Sequence, residues 1–178
     1  MAKVDLGDLF AVPLKSGGYG IGVIARMKKG RGAKSIVGYF FDLKLDNIPE
    51  PSDLSDIGHS QVRYITQFGD LGLHEDRWPI IGPMPNWDQE DWPMPVFGKV
   101  MLDGVRAEKV YYDPSNPEKW TNFEPCAIEE ARALPQDGLA GARAIETVLD
   151  KILNDPELDE LAGHKIPGRL VPVEECRP

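Results

Sequence analysis

The stretch from Gly7 to Arg26 restricts the fold more than any other part of the chain. It runs Gly-Asp-Leu-Phe-Ala-Val-Pro-Leu, then Lys-Ser-Gly-Gly, then Tyr-Gly-Ile-Gly-Val-Ile-Ala-Arg, a pattern that predicts two strands joined by a tight turn. Side chains alternate faces along a strand, so Phe10, Val12 and Leu14 share one side of the first. In the second, Tyr19, Ile21, Val23 and Ala25 share a face, and Gly20, Gly22 and Ile24 make up the other. Two glycines at i and i+2 strip that face bare, so the strand can bend there or another group can pack on its backbone. The expectation is the first corner of a strongly curved sheet.

Further strands follow. Ser35–Asp42 predicts a third, with Gly38 leaving a gap beside Tyr39, Phe40 and Phe41. Gln61–Phe68 alternates as a fourth, after a surface excursion at Asn47–Asp56 with two prolines and one short helical turn. Val96–Leu102 and Val105–Asp113 form a hairpin around Asp103-Gly104, a strong turn signal. Between the fourth strand and this hairpin, Pro83–Pro95 mixes prolines, tryptophans and acids in a way neither helix nor regular strand tolerates, so it is a structured loop. Beyond Asp137, taken as a helix cap, Leu139, Ala142, Ile145, Val148, Leu149, Ile152 and Leu153 keep a helical period that Asn154-Asp155-Pro156 ends. Glu157–Ala162 suggests a second short helix, and Lys165–Pro178 is a proline-rich tail.

The fold class expected is therefore mostly β (α+β), a strongly curved antiparallel sheet or small open barrel with a C-terminal helical appendage. Residues 1–115 make the curved β domain and residues 116–178 a helical extension packed on it as a single structural unit. A chain of 178 residues buries roughly 70% of its unfolded surface and needs no disulfide or metal staple. Cys126 and Cys176 are too few for a disulfide framework, and no CxxC pair is present. The net charge of −9 argues against general affinity for nucleic acid or an anionic membrane and favours a basic partner. No apolar signal core opens the chain and no stretch approaches a membrane span, so a cytoplasmic location is expected. The sequence sets no oligomeric state.

Catalytic signals are thin. Gly18-Tyr19-Gly20-Ile21-Gly22 lacks both the GxxxxGK[ST] and GxGxxG spacings, and strand curvature accounts for it. His74-Glu75-Asp76 is the densest set of possible metal ligands, but adjacent residues on an extended chain point apart, and His59 and His164 lie far off. No cofactor or metal is expected, and no GxSxG-like signature supports a nucleophile. Cys126 fits a small buried hydrophobe. A hydrolase site near His74 and Glu75 is one alternative. A second is a β-barrel adaptor or nucleic-acid module using Lys28, Lys29, Arg31 and Lys34 of the basic turn 28–34, beside the aromatics Tyr39, Phe40 and Phe41; the acidity of the chain weighs against it.

The loop Trp78–Pro95 is the strongest binding candidate. Indoles are enriched at interface hot spots, and acids beside them complement a basic partner, although Trp78, Trp87 and Trp92 could equally fill the core. The candidate partner-binding residues are Trp87, Asp88, Glu90, Asp91 and Trp92, with Glu75 and Asp76.

Gly7–Leu14 and Gly18–Ile24, with Trp78-Pro79-Ile80-Ile81-Gly82 and Pro93-Met94-Pro95-Val96-Phe97-Gly98, resemble the bacterial immunity protein 26 family over about the first two-thirds of the chain. The resemblance implies a mostly β cytoplasmic protein made beside a polymorphic toxin, which it neutralises by binding at or near the toxin's active site. It carries over no catalytic residue. An acidic protein of this kind suits a basic, nuclease-type toxin whose phosphate sites it could occupy.

Overall fold

A computed structural model describes residues 4–28, 30, 35–75 and 77–155. It is mostly β. Strands β1 (Asp8–Pro13), β2 (Tyr19–Met27), β3 (Ser35–Leu45), β4 (Val62–Gly69) and β5 (Ile80–Pro83) build the main sheet with the two-residue β9 (Leu139–Ala140), in the order β5-β1-β2-β3-β4-β9. A second sheet, in the order β6-β7-β8, comprises β6 (Phe97–Val100), β7 (Ala107–Asp113) and β8 (Asn116–Cys126). Both sheets are open. The helices are α1 (Leu71–His74), α2 (Ile128–Arg132) and α3 (Ala142–Asn154).

The opening hairpin forms as expected, with Phe10 opposite Gly22 and Val12 opposite Gly20. Gly17 and Gly18 turn the chain at φ +95° and +77°, a region that costs glycine nothing. The bare face of β2 has two occupants. A Cβ on Gly22 would sit 2.6 Å from the Phe10 ring, and one on Gly20 would sit 3.2 Å from Leu153 and 3.6 Å from Leu149 of α3. The missing side chains make room for an aromatic cluster and for the helix. Gly38 on β3 serves the same end, its Cβ position lying 2.6 Å from Phe68.

Each face of the main sheet carries its own core. On one, Phe10, Val12, Ile24, Phe40, Phe68 and Trp78 pack with Ile145, Leu149 and Ile152 of α3. On the other, Leu9, Ile21, Val23, Tyr39 and Phe41 pack with Met84 and Trp92 of the loop and with Phe97 and Val110 of the second sheet. Burial on both sides explains why β2 and β3 are apolar almost throughout. The hairpin turn and the end of β3 are tied to α3 as well: Ser16 Oγ donates to Asp150 at 2.5 Å, and Lys44 Nζ of β3 donates to Asn154 at 2.7 Å.

Three local expectations change. Asp137 does not cap α3, which begins at Ala142 after Gly141. Instead Asp137 accepts from the Tyr112 hydroxyl at 2.7 Å, while Leu139 and Ala140 run parallel to Gln67 and Phe68 as β9. Gly138, at φ +130°, turns the chain between these roles. Asn116–Cys126, inside the stretch expected to be a helical extension, is strand β8, whose β-forming Trp120, Thr121 and Phe123 lie between Pro117 and Pro125 at its ends. The Trp78 run contributes β5, which pairs with β1. The segments expected at Glu157–Ala162 and Lys165–Pro178 lie outside the described residues.

Candidate functional site

The three tryptophans of the loop take different positions. Trp78 is fully buried; it stacks on Phe10 at 5.7 Å and donates its indole N–H to Glu146 of α3 at 3.0 Å. Trp92 is only 3% exposed and meets Tyr39 and Phe41 edge-on at 5.4 and 5.8 Å. Trp87 is half-buried and lies nearly parallel to Trp92 at 5.8 Å. Its ring covers Gly7, where a Cβ would lie 2.7 Å away. That close approach gives Gly7, at φ +83°, a packing role as well as a turning one.

Above this aromatic base runs the acidic turn. Asp88 caps a single helical turn, Gln89–Asp91, by accepting from the Glu90 N–H at 2.9 Å. Asp88, Glu90 and Asp91 are all exposed. Two groups brace the turn from beneath. The buried guanidinium of Arg26 donates to the Gln89 carbonyl at 3.1 Å, and the Tyr39 hydroxyl donates to the Pro93 carbonyl at 2.6 Å. Burial pushes the Tyr39 pKa up, only partly offset by Arg26, so the hydroxyl stays a donor at neutral pH. His59 meets both Tyr39 and Trp92 at tilted angles, 5.5 Å from each. Burial holds its imidazole below the usual range against the pull of Asp91.

Glu75 is exposed at the end of α1, on the far side of Trp78 in sequence from the acidic turn, and Asp76 lies outside the described residues. His74 bonds through Nε2 to the buried Asp70 at 3.0 Å, which closes α1. Among the described residues no three His, Cys, Asp or Glu side chains are grouped to hold a metal ion. Of the basic turn, Lys28 pairs with Glu118 of β8 at 2.7 Å, and Lys29, Arg31 and Lys34 lie outside the described residues. No described helix is long and apolar enough to cross a membrane.

One exposed aromatic group escapes a reading for motifs. Trp120 and Phe123 of β8 are 59% and 37% exposed, with ring centroids 4.8 Å apart. The signal was present as Lys-Trp-Thr-Asn-Phe, two aromatics in a polar strand, but no apolar alternation marks it.

The geometry defines a two-sided β scaffold with a braced acidic surface loop. The family model described as Immunity protein 26 matches residues 5–108, more than half of the chain. The chain belongs to the immunity protein 26 family. All four segments that carry the resemblance fall inside the match, and the structure gives them work: the hairpin, β5 against β1, and Gly98, which lies against the Ala131 backbone of α2. No curated protein and no solved structure matches the chain. Family membership supports an immunity function and implies a toxin as partner.

Proposed function

We propose that this protein neutralises a cognate toxin by binding it, without catalysis, through the loop that carries Trp87, Asp88, Glu90 and Asp91. The observation that supports this most is the construction of the loop. Three exposed carboxylates sit on a turn held by Arg26, Tyr39 and the buried Trp92, so the acidic groups are presented with little ordering left to do on association. Trp92 acts from beneath the surface, and Trp87 offers its exposed edge.

The partner is a basic protein, and a nuclease-type toxin fits because its active site attracts phosphates, which carboxylates can replace. The protein works in the cytoplasm, where a toxin of that kind would act. The test is co-expression with the neighbouring toxin gene. Growth should fail with the toxin alone and be restored by this protein. A harmless neighbour, or no rescue, would contradict the reading.

A further inference from the structure

We propose that Trp120 and Phe123 form a second docking element for the same basic partner, continuous with the acidic turn at Asp88–Asp91. This rests on the toxin-binding reading above, and it adds a surface outside the residues 5–108 that the family model matches.

The pair is placed by a bulge. Phe123 stands opposite Val110, Asn122 opposite Tyr111, and Trp120 opposite Tyr112, which leaves Thr121 as the extra residue. Opposed residues of an antiparallel pair project to the same side, so both rings lie on the side of Val110 and Tyr112. Val110 is buried, and Tyr112 packs edge-on against Phe97 at 5.5 Å. Trp120 and Phe123 therefore continue the inward-facing row of the second sheet past the point where the main sheet covers it. Two touching aromatic rings left in water are an unusual surface for a polar strand, and tryptophan is the residue most enriched at hot spots.

Charge identifies the occupant. Between Glu108 and Glu130 the chain has six carboxylates and two lysines. Both lysines are engaged, Lys109 with Glu130 at 3.0 Å and Lys119 with Asp113 at 3.5 Å. Glu108, opposite Pro125, shares the side of the rings, while Glu124 and Glu130 lie on the other face. An indole face at the edge of this net negative region favours an arginine or lysine of a partner, through cation–π attraction. Continuity with the acidic turn comes from β2. Arg26 reaches Gln89, and Lys28, two residues on and just past the strand end, reaches Glu118. Successive same-side positions on an extended chain are about 7 Å apart, so both surfaces are anchored to the same end of β2. Docking uses side chains rather than strand addition, because Pro117, Pro125 and the bulge spoil the β8 edge for pairing.

The test measures binding of the full chain to the purified toxin domain encoded by the neighbouring gene. Trp120→Ala should raise Kd by at least about tenfold, Trp120→Phe should retain most of the affinity, and the melting temperature should not move. Glu108 stands opposite Pro125, two residues from Val110 and so on the side of the rings. Glu108→Lys, which leaves both rings in place, should weaken binding in a salt-dependent way and carries the test if Trp120→Ala lowers stability. Wild-type binding with a Kd unchanged in Trp120→Ala and Glu108→Lys would overturn this inference alone. No wild-type binding would overturn the toxin-binding reading and this inference with it. Sedimentation of the free chain separates the remaining occupant: a dimer abolished by Trp120→Ala, with toxin binding untouched, would assign the face to a second copy and overturn the proposal.

Discussion

Glu146 joins three parts of the molecule at one carboxylate. It is 5% exposed on α3, accepts both Arg77 Nε and Arg77 Nη2 at 2.5 Å, and also accepts the Trp78 indole N–H at 3.0 Å. Burial raises its pKa, but the hydrogen bonds from Arg77 and Trp78 and the charge of Arg77 outweigh it, and the net direction is down from 4.5. A group whose folded pKa is depressed stabilises the fold fully above its unfolded value, and that contribution is lost as pH falls through the folded pKa. The stability difference between wild type and Glu146→Gln should therefore be largest at neutral pH and shrink below about 4.5. Urea denaturation across pH 3 to 7 checks this, and a difference independent of pH would contradict it. At Gly22 and Gly38 the prediction concerns space. An added methyl would press on Phe10 or Phe68, and Gly22→Ala or Gly38→Ala should each cost about 1–3 kcal/mol by overpacking, measured by the same denaturation.

At the scale of elements, α3 and the acidic loop make opposite kinds of contribution. Ile145, Leu149 and Ile152 fill the core on one face of the sheet, so Leu149→Ala should cost about 2–5 kcal/mol and leave toxin affinity unchanged in the fraction that is folded. Reversing Glu90 and Asp91 to lysine, with Asp88→Asn so that the cap on the turn is kept, should do the converse: stability hardly moves, while association slows and loses its salt dependence, read by stopped-flow mixing at two salt concentrations. The elements differ equally in how far the sequence reveals them. The β1–β2 hairpin, the Asp103-Gly104 turn and the apolar stripe of α3 were legible because each is written in local periodicity or turn chemistry. β8 was not, since most of its residues are exposed and no alternation separates two faces. The fates of Trp78, Trp87 and Trp92 were hidden for another reason. Burial of an indole depends on what arrives from elsewhere: Glu146 for Trp78, Tyr39 and Phe41 for Trp92, Gly7 for Trp87. Asp137 likewise had the composition of a helix cap, but Tyr112, distant in sequence, claimed its carboxylate.

At the scale of the molecule, the main sheet is a central layer with a helix on one side and a second sheet plus a tryptophan-based loop on the other. The surfaces proposed to bind lie on the second side, away from α3. This division separates the parts that stabilise the fold from the parts that meet a partner, so interface changes should leave the fold intact. The central claim is that an acidic, aromatic-backed face binds a basic toxin. The most direct test is the Kd of the purified chain for the toxin encoded beside it, measured from low to high salt for wild type and for the triple variant Asp88→Asn, Glu90→Lys, Asp91→Lys, which keeps the capping side chain. The wild-type complex should weaken as salt rises, and the triple variant, with the wild-type melting temperature, should bind much more weakly. A complex indifferent to both salt and charge reversal, or no complex at all, would contradict it.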